Sequence, residues 1–375
     1  MKPQDSVARP SWTPVSVCPN WAFWVAILGG GVARLYQCWQ PLARTADLYR
    51  HIFTGIMVGE QGWRAAAMPL AAWSARAGAI SPWSELPYNY PPLTLAFFRC
   101  FALTYPSVLT AKLFLTACEG LNTCLVLRLT GQRALAALYW CLPLSIWWVS
   151  REGQIEPLQN SLVLIALIGL RSARPWSWGA WLAACQVKVL PVLAAPQFIR
   201  HLFLLTPRRR HLALAWSLAA LTPLAVSMCL WPVVSQVLSS FHQPMTFNFW
   251  HWRAPFDARF RGWAPPALEL WVHCFQAILA GFILLLLWRR RFAWDAALTC
   301  LLFLGASATM GIFQGWYFCA LIPFVLCAKG AADRLWLVVL VQLCEPLSLW
   351  QIFIRPVGWG GPTHLIPISQ LLTAP

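Results

Sequence analysis

The chain has 375 residues, 59% of them hydrophobic and only 11% charged, and its mean hydropathy of +0.58 leaves too little polar surface to coat a water-soluble globule. An unpaired backbone group in hydrocarbon is costly, so a crossing segment is a helix or part of a closed barrel. The long Leu, Ala, Val and Trp runs lack the alternation of barrel strands, which predicts an all-α, polytopic transmembrane bundle. The formal net charge of +16 does not point to nucleic acid, because Lys and Arg fall in short clusters between apolar runs.

Residues 1–20 are polar and hold Pro3, Pro10 and Pro14, and the first apolar run, Trp21 to Cys38, has no small-residue cleavage site after it. It reads as an anchor. Spans of roughly 17–25 residues are predicted near 21–38, 107–128, 134–149, 157–171, 176–188, 189–205, 211–231, 266–288, 292–311, 315–328 and 334–353. These amount to about eleven crossings, and the two runs meeting at Lys188 can also be read as one bent unit. A cytoplasmic N-terminus and an external C-terminus place Arg128, Arg133, Arg171, Arg174, the triplets Arg208–Arg210 and Arg289–Arg291, Lys329 and Arg334 inside, as the positive-inside rule favours. Asp47, Glu60, Glu85, Glu152, Glu156 and Asp257 then fall outside, whereas Glu119, Asp295 and Asp333 do not. The 13 cysteines lie mostly in apolar stretches with no CxxC pair and no Cys/His metal spacing, so they read as buried thiols.

Two external segments are long, 39–106 and 233–265, and loops of that length are usually functional or disordered. In the first, Ala65–Ala79 and Tyr90–Tyr105 read as short interfacial helices. Asp47 is a candidate general base, with an ordinary solvated acid at a helix start as the plain alternative. Tyr88, Asn89 and Tyr90 offer hydrogen bonds beside Pro91-Pro92, whose rings fix an extended entry into the next helix. Lys188 sits inside an apolar stretch, where a charge costs about 2.5–3.5 kcal/mol and usually faces a cavity, unless it snorkels to the surface. Glu152, Gln154 and Glu156 share one outer turn. A glycosidase-like acid pair is conceivable there, but two acids in a short turn read first as solvated charge. In the second loop His242, His251, Arg253, Arg259 and Arg261 suit a phosphate headgroup or proton transfer, and equally an interfacial aromatic and basic belt. No Gly-rich phosphate loop is present, so no nucleotide-sugar domain is expected.

The order of short elements carries a resemblance. Thr45-Ala-Asp-Leu-Tyr-Arg-His51 follows the first span, and Tyr88-Asn-Tyr-Pro-Pro-Leu93 closes the same loop. Lys112-Leu-Phe, Leu142-Pro-Leu running to Ser150-Arg-Glu-Gly-Gln154, Gln186-Val-Lys-Val-Leu-Pro191 and Gln314-Gly-Trp-Tyr317 come next. This resembles the GT-C superfamily of membrane glycosyltransferases, most closely the mannosyltransferase branches that use polyprenyl-phosphate sugars. The resemblance implies a catalytic transmembrane module over 21–232 that includes loop 39–106, followed by the second loop 233–265 and by C-terminal helices and tail over 266–375. It implies inverting transfer of a hexose, mannose by the nearest likeness, from a polyprenyl-phosphate donor to a lipid-linked or cell-envelope glycan on the outer face of a bacterial plasma membrane. Asp47 would be the base, and Arg50, His51, Arg151 and Lys188 would face the donor phosphate. Glu152, Gln154, Glu156, Tyr88, Asn89 and Tyr90 would face the acceptor, with His242, His251 and Arg253 as second-loop candidates. The second acid of a DxD-like pair is missing beside Asp47, so no cofactor is expected and a divalent metal is left open. A partner subunit is left open too. The rival from another class is a transporter or flippase for lipid-linked or amphiphilic solutes, for which the bend near Lys188 is the one sign.

Overall fold

The computed structural model describes residues 18–42, 46–68, 88, 90–104, 107–188, 191–192, 195–228 and 317–327. The elements among them are all helical, with no strand. Helix α1 (Asn20–Trp39) matches the first predicted span. It turns Phe23, Gly30, Arg34 and Cys38 inward, while Trp21, Trp24, Val25, Leu28, Val32, Leu35, Tyr36 and Trp39 form an exposed apolar stripe at helical spacing.

The first long loop is more regular than its sequence predicts. Helix α2 (Ala46–Gln61) was not expected. Its Leu48, Ile52, Phe53, Ile56 and Met57 are buried in one cluster with Phe98, Leu115, Val149, Ile155 and Val187. A 3-10 turn, Trp63–Ala67, follows where a helix over Ala65–Ala79 was predicted, and the remainder of that helix lies outside the described residues. Helix α3 (Pro92–Ala102) starts on Pro92, a residue whose fixed φ and missing N–H suit the first helical turn. It lies so close on α2 that a Cβ at Gly55 would come 2.4 Å from the Phe98 carbonyl oxygen. Only glycine lets the two backbones meet there.

Helix α4 (Val108–Thr130) is capped by Ser107, whose hydroxyl accepts the Thr110 N–H at 3.1 Å. It is the one helix among the described residues that is long and apolar enough to cross a membrane by length and composition. The span predicted at 134–149 is broken. Helix α5 (Arg133–Cys141) ends before Pro143, one turn over Pro143–Ser145 follows, and Ile146–Arg151 is π-helical. Proline supplies no N–H for the continuing ladder, and π turns often mark functional sites.

Helix α6 (Glu156–Arg171) carries Pro157 in its first turn. Two further helices, α7 (Ser177–Cys185) and α8 (Ala195–Leu204), are short and flank the chain at Lys188, where two spans or one bent unit were expected. Helix α9 (Pro207–Met228) matches the run at 211–231 and α10 (Tyr317–Cys327) the run at 315–328. A second core joins α4, α5, α6, α7 and α10 through Leu129, Tyr139, Trp148, Leu164, Trp181 and Ile322. The segments at 233–265, 266–288, 292–311 and 334–353 lie outside the described residues.

Candidate functional site

Asp47 occupies the first turn of α2, and the 3.6-residue period brings Arg50 and His51 round to its side of the helix. All three are buried, Asp47 at 7% exposure, so this is not the solvated helix-start acid that was the plain alternative. The loop ahead of α3 folds over them. Tyr90 donates its O–H to Asp47 Oδ2 at 3.3 Å, and Tyr88 Oη lies 2.8 Å from His51 Nδ1. The His51 ring is stacked on Phe98 at 4.7 Å and meets Tyr90 edge-on at 4.3 Å.

The electrostatics of this corner fix two protonation states. Burial holds His51 well below the usual imidazole range, and the neighbouring Arg50 and Lys188 push it the same way. Burial also lifts the Tyr88 phenol well above its ordinary value, against the pull of Arg50 and with the help of Asp47. A neutral imidazole therefore faces a protonated phenol. His51 is placed here as a hydrogen-bonding partner of Tyr88.

Lys188 enters from the chain beyond α7, where Thr94 of α3 donates to the Val187 carbonyl at 2.7 Å and ties the segment down. Its ammonium lies 5.8 Å from the Tyr90 ring centroid, within cation–π range, and it makes an ion pair with Glu156. Lys188 is buried, so the structure has it facing inward rather than snorkelling.

The turn from Arg151 to Glu156 completes the cluster. Backbone bonds Gly153 N to Val149 O at 2.9 Å and Gln154 N to Trp148 O at 3.0 Å close it over the π segment. Gly153 has φ of +71°, and a Cβ there would fall 2.3 Å from Leu48 Cδ2. The turn thus rests directly on α2 beside Asp47, and Glu152, Gln154 and Glu156 are all buried, against the expectation of solvated acids. Arg151 stacks over Trp147 at 4.3 Å and reaches Glu152 at 3.9 Å.

Two charged features outside the sequence candidates emerge. Lys112 is fully buried on α4, donates to the Gln40 carbonyl at 2.7 Å and lies within electrostatic reach of Glu152 and Arg151. Behind the turn, Arg34 donates to Trp140 O at 3.1 Å, Ser150 Oγ at 3.3 Å and Ser145 Oγ at 2.9 Å, and faces Glu119 at 3.7 Å. Opposite charges inside two predicted spans, Arg34 and Glu119, were the signal available for that pair.

Three atoms in the cluster stand out because buried polar groups are nearly always paired. His51 Nε2, Gln154 Nε2 and Glu156 Oε2 are buried with no hydrogen-bond partner among the described residues. Among the same residues no three His, Cys, Asp or Glu side chains converge as a metal ion would require. Asn89, His242, His251 and Arg253 lie outside the described residues. Chemically, the cluster sets a tyrosine-bound carboxylate beside several cations and open hydrogen-bonding atoms, which suits a ligand carrying both hydroxyl and anionic groups. Compared with known protein families, characterised proteins and solved structures, the chain matches none.

Proposed function

We propose that the chain is a multi-pass membrane glycosyltransferase that moves a hexose, mannose by resemblance, from a polyprenyl-phosphate donor to a lipid-linked or cell-envelope glycan. The observation that carries this reading is the convergence of Asp47, Tyr90, Glu156 and Lys188, which come from four separate stretches of chain, in one cluster. A carboxylate far from any such cations would argue for an ordinary surface acid; one set among them has a phosphate leaving group as its natural counterpart. The exposed apolar stripe of α1 and the length of α4 support the membrane part, for which we retain about eleven spans, a cytoplasmic N-terminus and a bacterial plasma membrane.

In this mechanism the acceptor hydroxyl gives its proton to Asp47 as its oxygen attacks the anomeric carbon. The bond from that carbon to the phosphate oxygen breaks, and the electron pair leaves with the polyprenyl phosphate, which inverts the configuration. Lys188, with Arg50 and Arg151, meets the charge developing on the phosphate. Tyr90 orients the base through its hydrogen bond. Membranes carrying the wild-type chain are expected to transfer label from radiolabelled polyprenyl-phosphate-mannose to a lipid acceptor extract, and Asp47→Asn is expected to lose transfer by at least about 100-fold while remaining folded. Normal turnover by Asp47→Asn would sink the assignment.

A further inference from the structure

We infer that Glu156 is a built-in stand-in for the ligand's phosphate, holding Lys188 until the anion arrives and then releasing it. The inference rests on the phosphate-ligand reading above and concerns how that site is kept ready.

Glu156 is fully buried and its Oε1 takes the Lys188 ammonium, while its Oε2 has no hydrogen-bond partner among the described residues. A carboxylate and an ammonium withdrawn from water must face opposite charge. Each meets that need through the other only until a stronger anion enters. Asp47 also lies within electrostatic reach of Glu156, so two like charges stand in one cluster with the lysine.

Glu156 is not stranded when Lys188 turns away. It stands in the first turn of α6, where unsatisfied N–H groups and the helix dipole favour a negative charge. Its open Oε2 can then accept from a hydroxyl of the incoming ligand. Lys188 in turn keeps the Tyr90 ring within cation–π range. Both partners therefore have somewhere to go, which separates an exchangeable pair from a structural one. In charge terms, the cations near the turn are nearly matched by carboxylates while His51 is neutral, so a phosphate enters most easily by taking over a carboxylate's place.

The exchange predicts that the carboxylate competes with the ligand. The full-length chain purified in detergent is titrated calorimetrically with a short-chain polyprenyl monophosphate and, in parallel, with inorganic phosphate. Wild type is expected to bind the lipid phosphate, and E156Q is expected to bind it about tenfold more tightly, as loss of a charged hydrogen bond that competes with the ligand implies. K188M is expected to lose the binding, and K188M/E156Q to show no gain over K188M. Tighter binding of inorganic phosphate by E156Q as well would mean the phosphate group alone drives the exchange; a gain confined to the lipid would still carry it and tie it to the chain-bearing ligand. If E156Q does not give a thermal unfolding transition, Glu156→Asp keeps the charge at a shorter reach and is expected to tighten binding in the same direction. Equal or weaker binding by the folded Glu156 variants, with wild type binding normally, overturns the exchange and leaves the functional reading intact. No binding of either phosphate by wild type overturns the phosphate reading itself, and the exchange with it.

Discussion

Arg34 and Lys188 are both buried cations facing a glutamate, yet their surroundings differ. Arg34 has all its side-chain nitrogens engaged, on Trp140, Ser145 and Ser150, with Glu119 at 3.7 Å. Around Lys188 the partner carboxylate has one oxygen without a hydrogen-bond partner among the described residues, as both oxygens of Glu119 also do, so the two pairs differ at the cation and not at the acid. The guanidinium is tied to one backbone carbonyl and two serine hydroxyls on the chain from α5 to the π segment, whereas the ammonium stands beside the Tyr90 ring, with open nitrogens of His51 and Gln154 in the same cluster. A cation held by several fixed oxygens braces the elements that carry them. The α1–α4–α5 junction therefore reads as framework and the α2–α6 face as the candidate site.

The largest expected effect lies in the framework. Arg34→Met strands the Glu119 carboxylate and is expected to cost about 3–5 kcal/mol, read as a lowered thermal midpoint in detergent, with Arg34→Met/Glu119→Leu recovering most of it. Lys188→Met is expected to cost clearly less, since Glu156 retains the N-terminus of α6. Equal losses for the two would erase the distinction between the regions.

Two glycines sharpen the comparison at a smaller scale. Gly131 and Gly153 have nearly the same φ, +68° and +71°, but a Cβ at Gly131 meets nothing within 4 Å while one at Gly153 strikes Leu48. Gly131→Ala is expected to cost about 1–2 kcal/mol through backbone strain alone. Gly153→Ala adds the collision and is expected to exceed it, with a loss of transfer activity that Gly131→Ala does not share. Matching values for the two would mean that the turn does not lean on α2.

The smallest effect is a pH dependence. His51 is held neutral by burial beside Arg50 and Lys188, whereas an unfolded histidine titrates near about 6.5. Between the two values the unfolded chain binds the extra proton, so stability is full above about pH 6.5 and declines as pH falls below it, by at most about 1.4 kcal/mol per unit from this residue. Asn in place of His51 is expected to flatten that slope in thermal scans between pH 6.5 and 5, and an unchanged slope would show that another group sets it.

Much of the framework was legible in the sequence because the apolar runs of α1, α4, α6 and α9 are local signals. Helix α2 was not, since Asp47, Arg50, His51 and Glu60 dilute its hydropathy and its buried face has meaning only once α3 lies on it. The break after α5 was missed, since the run at 134–149 was read as one span across Pro143, and the π segment carries Ser150, which is bonded to Arg34 and Thr116, far away in sequence. Lys188 was legible as a charge in an apolar stretch, and Asp47 through the order of the short elements around it. Lys112 stood in one of those elements, but its placement was not legible, because the Gln40 carbonyl that receives it belongs to the end of another helix. The acids at 152 and 156 looked solvated for the same reason: nothing near them in the chain announces that Leu48 will cover the turn.

The π-helical stretch from Ile146 to Arg151 gives the turn a tolerance of residue count. Such a segment holds one residue more than an α-helix closing the same hydrogen-bonded turn. Removing one of its members would let the helix regularise and absorb the loss within that turn. Glu152 and Gln154 would keep their place beside α2 even with Ile146 deleted, whereas the same deletion in a regular α-helix swings the chain beyond it by about 100°.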